Sequence, residues 1–161
     1  MLYRVVYLSS ALQHFGLVDL DLLLTASRRR NIRDNVTGLL LHDGEHFVQA
    51  LEGEEIVLRH LLRRIEADPR HGGVSYVAAG EISNRLFGRW AMASGRVAPG
   101  SVPAMIDAIR VSQNGTSEIA MMMLKVFMRD MRPERSALPT FRRSALSSAL
   151  RRGRPEMPAL L

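Results

Sequence analysis

Residues 36–53, VTGLLLHDGEHFVQALEG, hold two apolar runs separated by Asp43-Gly44, and the fold depends on how they are read. Asp-Gly between two apolar runs is a strong hairpin signal, so the stretch predicts two strands turning at HDGE. Along the second run the period of two puts Phe47, Gln49 and Leu51 on one face and Val48, Ala50 and Glu52 on the other. Gln49 therefore stands among apolar groups, where an amide buried without partners costs roughly 2–7 kcal/mol.

Elements alternate outward from this hairpin. LYRVVYLSS (2–10) predicts a strand, and GLVDLDLLLTASRRRN (16–31) a helix with Leu17, Leu20, Leu24 and Ser27 near one stripe. EEIVLRHLLRRIEAD (54–68) predicts a second helix, stopped by DPRHGG. VSYVAAGEI (74–82) and LFGRWAMASGRV (86–97) read as two further strands. After APGSVP the pattern is helical again over AMIDAIRVS (104–112), turns at Asn114 and Gly115, and continues in SEIAMMMLKVFMRDM (117–131). This order predicts an α+β fold of the ferredoxin-like kind, β-α-β-β-α-β-β. A five-stranded mixed sheet would carry two helices on one face and a C-terminal helical cap on the other. The expected divisions are a body over 1–97, the cap over 98–131, and a basic, poorly ordered tail over 132–161.

Composition excludes several functions. The 161 residues are 47% apolar, enough for one domain with a real core. No run approaches the ~18 apolar residues of a spanning helix, and MLYRVVYLSSAL alternates like a strand, so the expectation is a cytoplasmic protein with no membrane segment. The absence of cysteine excludes disulfides, thiolate metal sites, a thiol nucleophile and a cysteinyl cofactor adduct. Of the net charge of +6, residues 132–161 supply +5 through seven arginines against Glu134 and Glu156. Residues 1–131 therefore carry no footprint for direct nucleic-acid binding. His42 and His46 flank a turn without further metal ligands, and no inward nucleophile or carboxylate dyad is present, so an enzyme is not expected.

Several polar residues fall on apolar faces together. Ser27 and Asn31 follow Leu20 and Leu24 by seven residues, close to the stripe of the first helix. Val57, Leu61, Arg64 and Asp68 are spaced to put Arg64 and Asp68 on one edge of the second helix's buried face, within reach of each other. Tyr3, Val5, Tyr7 and Ser9 share a face of the first strand, and Trp90 and Met92 share a face of the last. Each group alone is ordinarily structural, satisfied by a loop, a carbonyl or a solvated ion pair. Together they need a shared partner, and a flat heteroaromatic ligand with donors and acceptors on its edge would satisfy them.

The strings YRVVYLS, SRRRNIRDNVTGLL, FVQALEGE, RIEADPRH and RLFGRWAM, over about residues 2–97, resemble the BLUF family of blue-light sensors using flavin, in its order and spacing. The resemblance implies that residues 1–97 are a BLUF sensor domain with a flavin between its two helices, FAD with FMN or riboflavin as alternatives. It implies Tyr7 and Gln49 as the photoactive pair and Asn31 on the ring's carbonyl edge. Arg64 and Asp68 match positions near the polar edge, His71 matches the histidine closing DPRH, and Trp90 and Met92 match a pair tied to signal relay. Ser27 joins this set from its place on the first helix. Two positions depart from the family: Arg30, where Asn or His is usual, bearing on the flavin's ribityl and phosphate tail, and Asn35, where Gly is usual.

The mechanism then expected is loss of an electron and a proton from Tyr7 to the excited flavin, with Gln49, donor and acceptor in one planar group, rearranging between them. A slight red shift is implied. The output would pass through the strand bearing Trp90 and Met92 to the helix carrying Ile119, Met122, Met123, Val126 and Phe127. From there it would reach a downstream protein in trans, such as a cyclic-dinucleotide enzyme or a transcription regulator; a homo-oligomer is compatible. The alternatives are an adaptor acting through the arginine-rich tail and, less favoured, a small phosphate-handling hydrolase.

Overall fold

The computed structural model describes residues 1–12, 17–112 and 115–130. Its elements are β1 (Leu2–Ala11), α1 (Leu17–Arg33), β2 (Thr37–His42), β3 (His46–Glu54), α2 (Glu55–Glu66), β4 (His71–Glu81), β5 (Ala93–Arg96), α3 (Ser101–Ser112) and α4 (Thr116–Asp130). The hairpin turns where Asp43-Gly44 places it. Gly44 takes φ 105°, and Asp43 Oδ1 accepts the backbone N–H groups of Glu45 (3.1 Å) and His46 (2.8 Å), a local bond that favours a turn over a longer strand.

The sheet order is β4-β1-β3-β2-β5, with only β2 and β5 parallel. Antiparallel pairing sets Tyr7 opposite Gln49 and Arg4 opposite Glu52, so the period-two faces of β1 and β3 coincide. On one side Val5, Tyr7, Leu40 and Leu51 pack with Leu24 of α1 and with Leu58 and Leu62 of α2. On the other, Val6, Leu39, Leu41, Val48 and Ala50 lie under Val102, Met105, Ile106 and Ile109 of α3 and Ile119, Met123 and Phe127 of α4. The five-stranded mixed sheet with helices on both faces is the α+β, ferredoxin-like fold expected.

Asn35 explains one of the two departures from the family pattern. It sits at φ 51°, just past α1, where Val36 N–H returns to Asn31 O (2.8 Å) and Asn35 N–H to Ile32 O (3.3 Å). That is the left-handed C-terminal cap in which Gly is usual and Asn is the best tolerated substitute.

Three local expectations change. The strand expected over 86–97 is confined to Ala93–Arg96, which pair with Leu39–His42. Upstream the chain leaves the ladder and Trp90 N–H closes a turn on Phe87 O (2.9 Å). Trp90 and Met92 consequently do not share a face: Trp90 packs with the cap and Met92 with α1 and α2. In α2 the buried positions are Leu58 and Leu62, which turns Arg64 outward to an exposed position. The helix ends at Glu66, so Asp68 lies beyond it, off the helical edge expected for it beside Arg64, and it pairs with Arg70 (2.5 Å). The Met-rich helix does bury Ile119, Met123 and Phe127, while Met122 and Val126 are partly buried against the same core. No described helix is long and apolar enough to cross a membrane. The tail over 132–161, Met131, Asn114 and the side chain of His71 lie outside the described residues.

Candidate functional site

Between the sheet, α1 and α2 lies a cavity. Its buried lining includes Tyr7, Leu24, Asn31, Leu40, Gln49, Leu51 and Met92, and Ser27, Leu61, Ile65, Asp68 and Arg70 continue the wall. Leu23 also lines it, and Arg30 and Arg64 stand as exposed side chains at the solvent side. One space thus brings together every proposed ligand except His71, whose side chain is not described; of the proposed relay pair Met92 lines it and Trp90 packs on the cap side.

Each inward group is placed by its element. The Tyr7 hydroxyl donates to Gln49 Oε1 across the β1–β3 pair, and Gln49 Nε2 donates to Met92 Sδ at 3.2 Å. The three side chains form a line, phenol to amide to thioether, across a wall where Tyr7, Gln49 and Met92 are 3%, 9% and 4% exposed. Burial pushes the Tyr7 phenol well above its ordinary value of 10.0, with the nearby Tyr76 adding to the shift. Tyr7 is therefore a neutral donor throughout the physiological range. Asn31, in the last turn of α1, donates from Nδ2 to Ala91 O (2.7 Å), which leaves a second N–H and Oδ1 on the amide. Arg28 Nε donates to Met92 O (3.0 Å). Asn31 and Arg28 thus tie α1 to the segment preceding β5. Arg30 bonds its own helix at Ala26 O (3.2 Å). Asp68 accepts from the N–H (3.0 Å), Nε (2.8 Å) and Nη2 (2.5 Å) of Arg70.

A second polar cluster, on the cap side, went unread in the sequence. Glu52 is 0% exposed and Arg4 2%, and the Arg4 guanidinium bonds Glu52 Oε1 through Nε (2.9 Å) and Nη2 (2.6 Å). The signal was present, because the alternation that exposed Gln49 as awkward also places Glu52 with Val48 and Ala50. Among the described residues no group of three or more His, Asp or Glu is placed to hold a metal ion.

Fold and cavity define a ferredoxin-like ligand-binding module whose ligand slot lies between two helices and the sheet. The chain belongs to the BLUF family: the family model described as sensors of blue light using FAD matches residues 2–93. It is 34% identical over 94 residues to the photoactivated adenylate cyclase subunit beta of Euglena gracilis, covering 58% of this chain and 11% of that protein. It is 33% identical over 92 residues to the blue light- and temperature-regulated antirepressor BluF of Escherichia coli strain K12, covering 57% of this chain and 23% of that one. The chain thus spans under a quarter of either relative. The dark-state structure of BlrB, a BLUF protein, superposes with a TM-score of 0.63 at 30% identity, covering 80% of this chain and 96% of BlrB.

The residues present fit a flavin. The buried wall offers a neutral phenol, a carboxamide on the sheet and a second on α1, the mixed donors and acceptors that the edge of its ring requires, while Leu24, Leu40, Leu61 and Ile65 supply apolar cover.

Proposed function

We propose that residues 1–97 are a flavin-binding light sensor in which Tyr7 and Gln49 are the photoactive pair, and that residues 98–131 cap it and carry its output. The observation that carries this reading is the line from Tyr7 through Gln49 to Met92 along the cavity wall. When bound, the flavin supplies blue-light absorption and a strongly oxidising excited state. Tyr7 would be the electron donor to that excited state, and because burial disfavours both a phenolate and a charged phenol, its proton would pass to Gln49 Oε1 as the electron leaves. Gln49 accepts at Oε1 and donates at Nε2, so turning or tautomerising the amide reverses which end donates and removes its N–H from Met92. Asn31 orients the ring edge, with Ser27, Asp68 and the rim arginines Arg30 and Arg64 toward its polar side and tail.

We further propose that the protein works in the cytoplasm, without a catalytic centre of its own, by altering a partner in trans. The names of its relatives, an antirepressor and an adenylate cyclase subunit, favour a transcription regulator or a cyclic-nucleotide enzyme as the class of partner. The test is the absorption spectrum of the purified protein in the dark and under blue light. A bound flavin with a reversible small red shift is expected; a colourless protein that takes up no flavin overturns the reading.

A further inference from the structure

Glu52 lies three residues beyond Gln49 on β3 and faces the opposite side of the sheet. Its carboxylate receives five bonds. Oε1 takes Arg4 Nε (2.9 Å), Arg4 Nη2 (2.6 Å) and the Leu86 N–H (2.9 Å); Oε2 takes the Phe87 N–H (3.0 Å) and Thr37 Oγ1 (3.1 Å). Arg85 braces the same place, with Nη1 on Thr37 Oγ1 (3.0 Å) and Glu52 O (2.8 Å) and Nη2 on Asn35 O (2.8 Å). The remaining arm of Arg4, Nη1, reaches Ser117 Oγ (3.0 Å) in the first turn of α4.

The irregular run 85–92 meets the sheet's backbone through the Gly38 N–H on Trp90 O (3.0 Å) and is otherwise placed by side-chain bonds. Its first half hangs on Glu52. Its second half hangs on the cavity wall: Ala91 O on Asn31, Met92 O on Arg28, and Met92 Sδ on Gln49. Between the two anchors Phe87 and Trp90 stack at 6.5 Å, and Trp90 meets Phe127 of α4 edge-on at 5.6 Å. If Gln49 turns its oxygen toward Met92 Sδ, an acceptor meets an acceptor and one of the anchors of the second half is lost, while Asn31 and Arg28 keep theirs. The displacement then loads the two amides held by Glu52, and through Arg4 the hydroxyl of Ser117.

Resting on the sensor reading above, we propose that Glu52 is a positioning residue that couples the 85–92 segment to the start of α4, so that a rearrangement at Gln49 is transmitted to the cap through the buried Glu52–Arg4–Ser117 line. Neither Glu52 nor Ser117 lines the flavin cavity, so both can be altered without removing a ligand group.

The experiment compares the parent holoprotein with Ser117→Ala and Glu52→Gln, each loaded with FAD, in the dark and under blue light. Three signals are read: the flavin absorption shift, the fluorescence of Trp90, the only tryptophan in the chain, and amide hydrogen exchange across 116–127. Ser117→Ala is expected to keep the absorption shift and the light response of Trp90 while reducing the light-to-dark difference in α4 exchange about fivefold or more, the scale of an interrupted coupling. Glu52→Gln, which sets an amide N–H against donors, is expected to keep the absorption shift and weaken both other responses. A merely structural role would lower the melting temperature and leave the light-minus-dark differences unmoved. If the parent shifts in the light and Ser117→Ala answers in α4 as the parent does, the relay is overturned while the sensor reading stands. If the parent shows no shift, the sensor reading falls first and the relay with it. Should Glu52→Gln not fold, the Ser117→Ala comparison decides.

Discussion

Trp90 and Met92 stand two residues apart on opposite sides of the sheet: Met92 Sδ accepts the Gln49 amide in the cavity, and Trp90 packs between Phe87 and Phe127 beneath the cap. Two residues of a regular strand would face the same way. The turn closed by Trp90 N–H on Phe87 O breaks that rule, so a single short segment touches both the cavity and the cap helices.

Their substitutions should therefore separate. Met92→Leu keeps the bulk and removes the acceptor for Gln49 Nε2, so the flavin should stay bound while the dark-recovery rate changes. Trp90→Ala should leave the dark absorption spectrum unchanged and lower stability by about 2–3 kcal/mol, somewhat under the cost for a fully buried aromatic because Trp90 is partly exposed. Recovery kinetics and urea unfolding check the pair. A change of recovery rate in Trp90→Ala as large as that in Met92→Leu would contradict the division.

Tyr7→Phe removes one hydroxyl from a wall otherwise intact. The variant should bind flavin and show no red-shifted state after blue light. Gln49→Leu should do the same, since it lacks both donor and acceptor. A normal light-induced shift in either would remove that residue from the photoactive pair.

Asn31→Ala differs in kind. It takes a donor from Ala91 O as well as an amide from the cavity, and a buried polar group left unpaired costs about 1–3 kcal/mol. Weaker flavin retention is expected, roughly 5- to 150-fold in dissociation constant, with photochemistry preserved in the fraction that stays loaded. Equilibrium dialysis against FAD measures it, and retention equal to the parent would count against Asn31 as a ligand.

Acid sensitivity should centre first on His42. Burial, and then the charge of Arg96, hold its pKa below the ordinary 6.5, with Asp43 opposing. The unfolded chain then takes up this proton at higher pH than the folded one, so stability falls as pH drops through about 6.5 and stops falling from this cause below the lower folded value. The Asp43 carboxyl is also lowered: burial works against it, but the N–H groups of His46, Glu45 and Val102 prevail. Its stabilisation is lost only at more acid pH, as the folded value is crossed. Urea midpoints between pH 7.5 and 5.5 should decline in the parent and decline less in His42→Gln; identical slopes would exclude His42.

Side-chain period and turn chemistry are local, and the sequence alone determined what depends on them. Asp43-Gly44 placed the hairpin, alternation set Tyr7 with Val5 and Gln49 with Leu51 within their own strands, and the seven-residue spacing from Leu24 brought Asn31 inward. Five motifs in order identified the family. Only the tertiary structure decided what depends on neighbours remote in the chain. The apolar pattern over 86–97 reads as a strand, but a strand exists only where another offers a ladder, and β2 offers one to Ala93–Arg96 alone. Arg64 and Asp68 have helical spacing, but the helix ends at Glu66 and packs on Leu58 and Leu62, so their geometry follows the packing. Glu52 stood plainly on an apolar face in the sequence, yet its partners lie 48 residues away at Arg4 and 34 and 35 away at Leu86 and Phe87. A buried charge persists only where such distant donors converge, and their convergence is a property of the folded sheet.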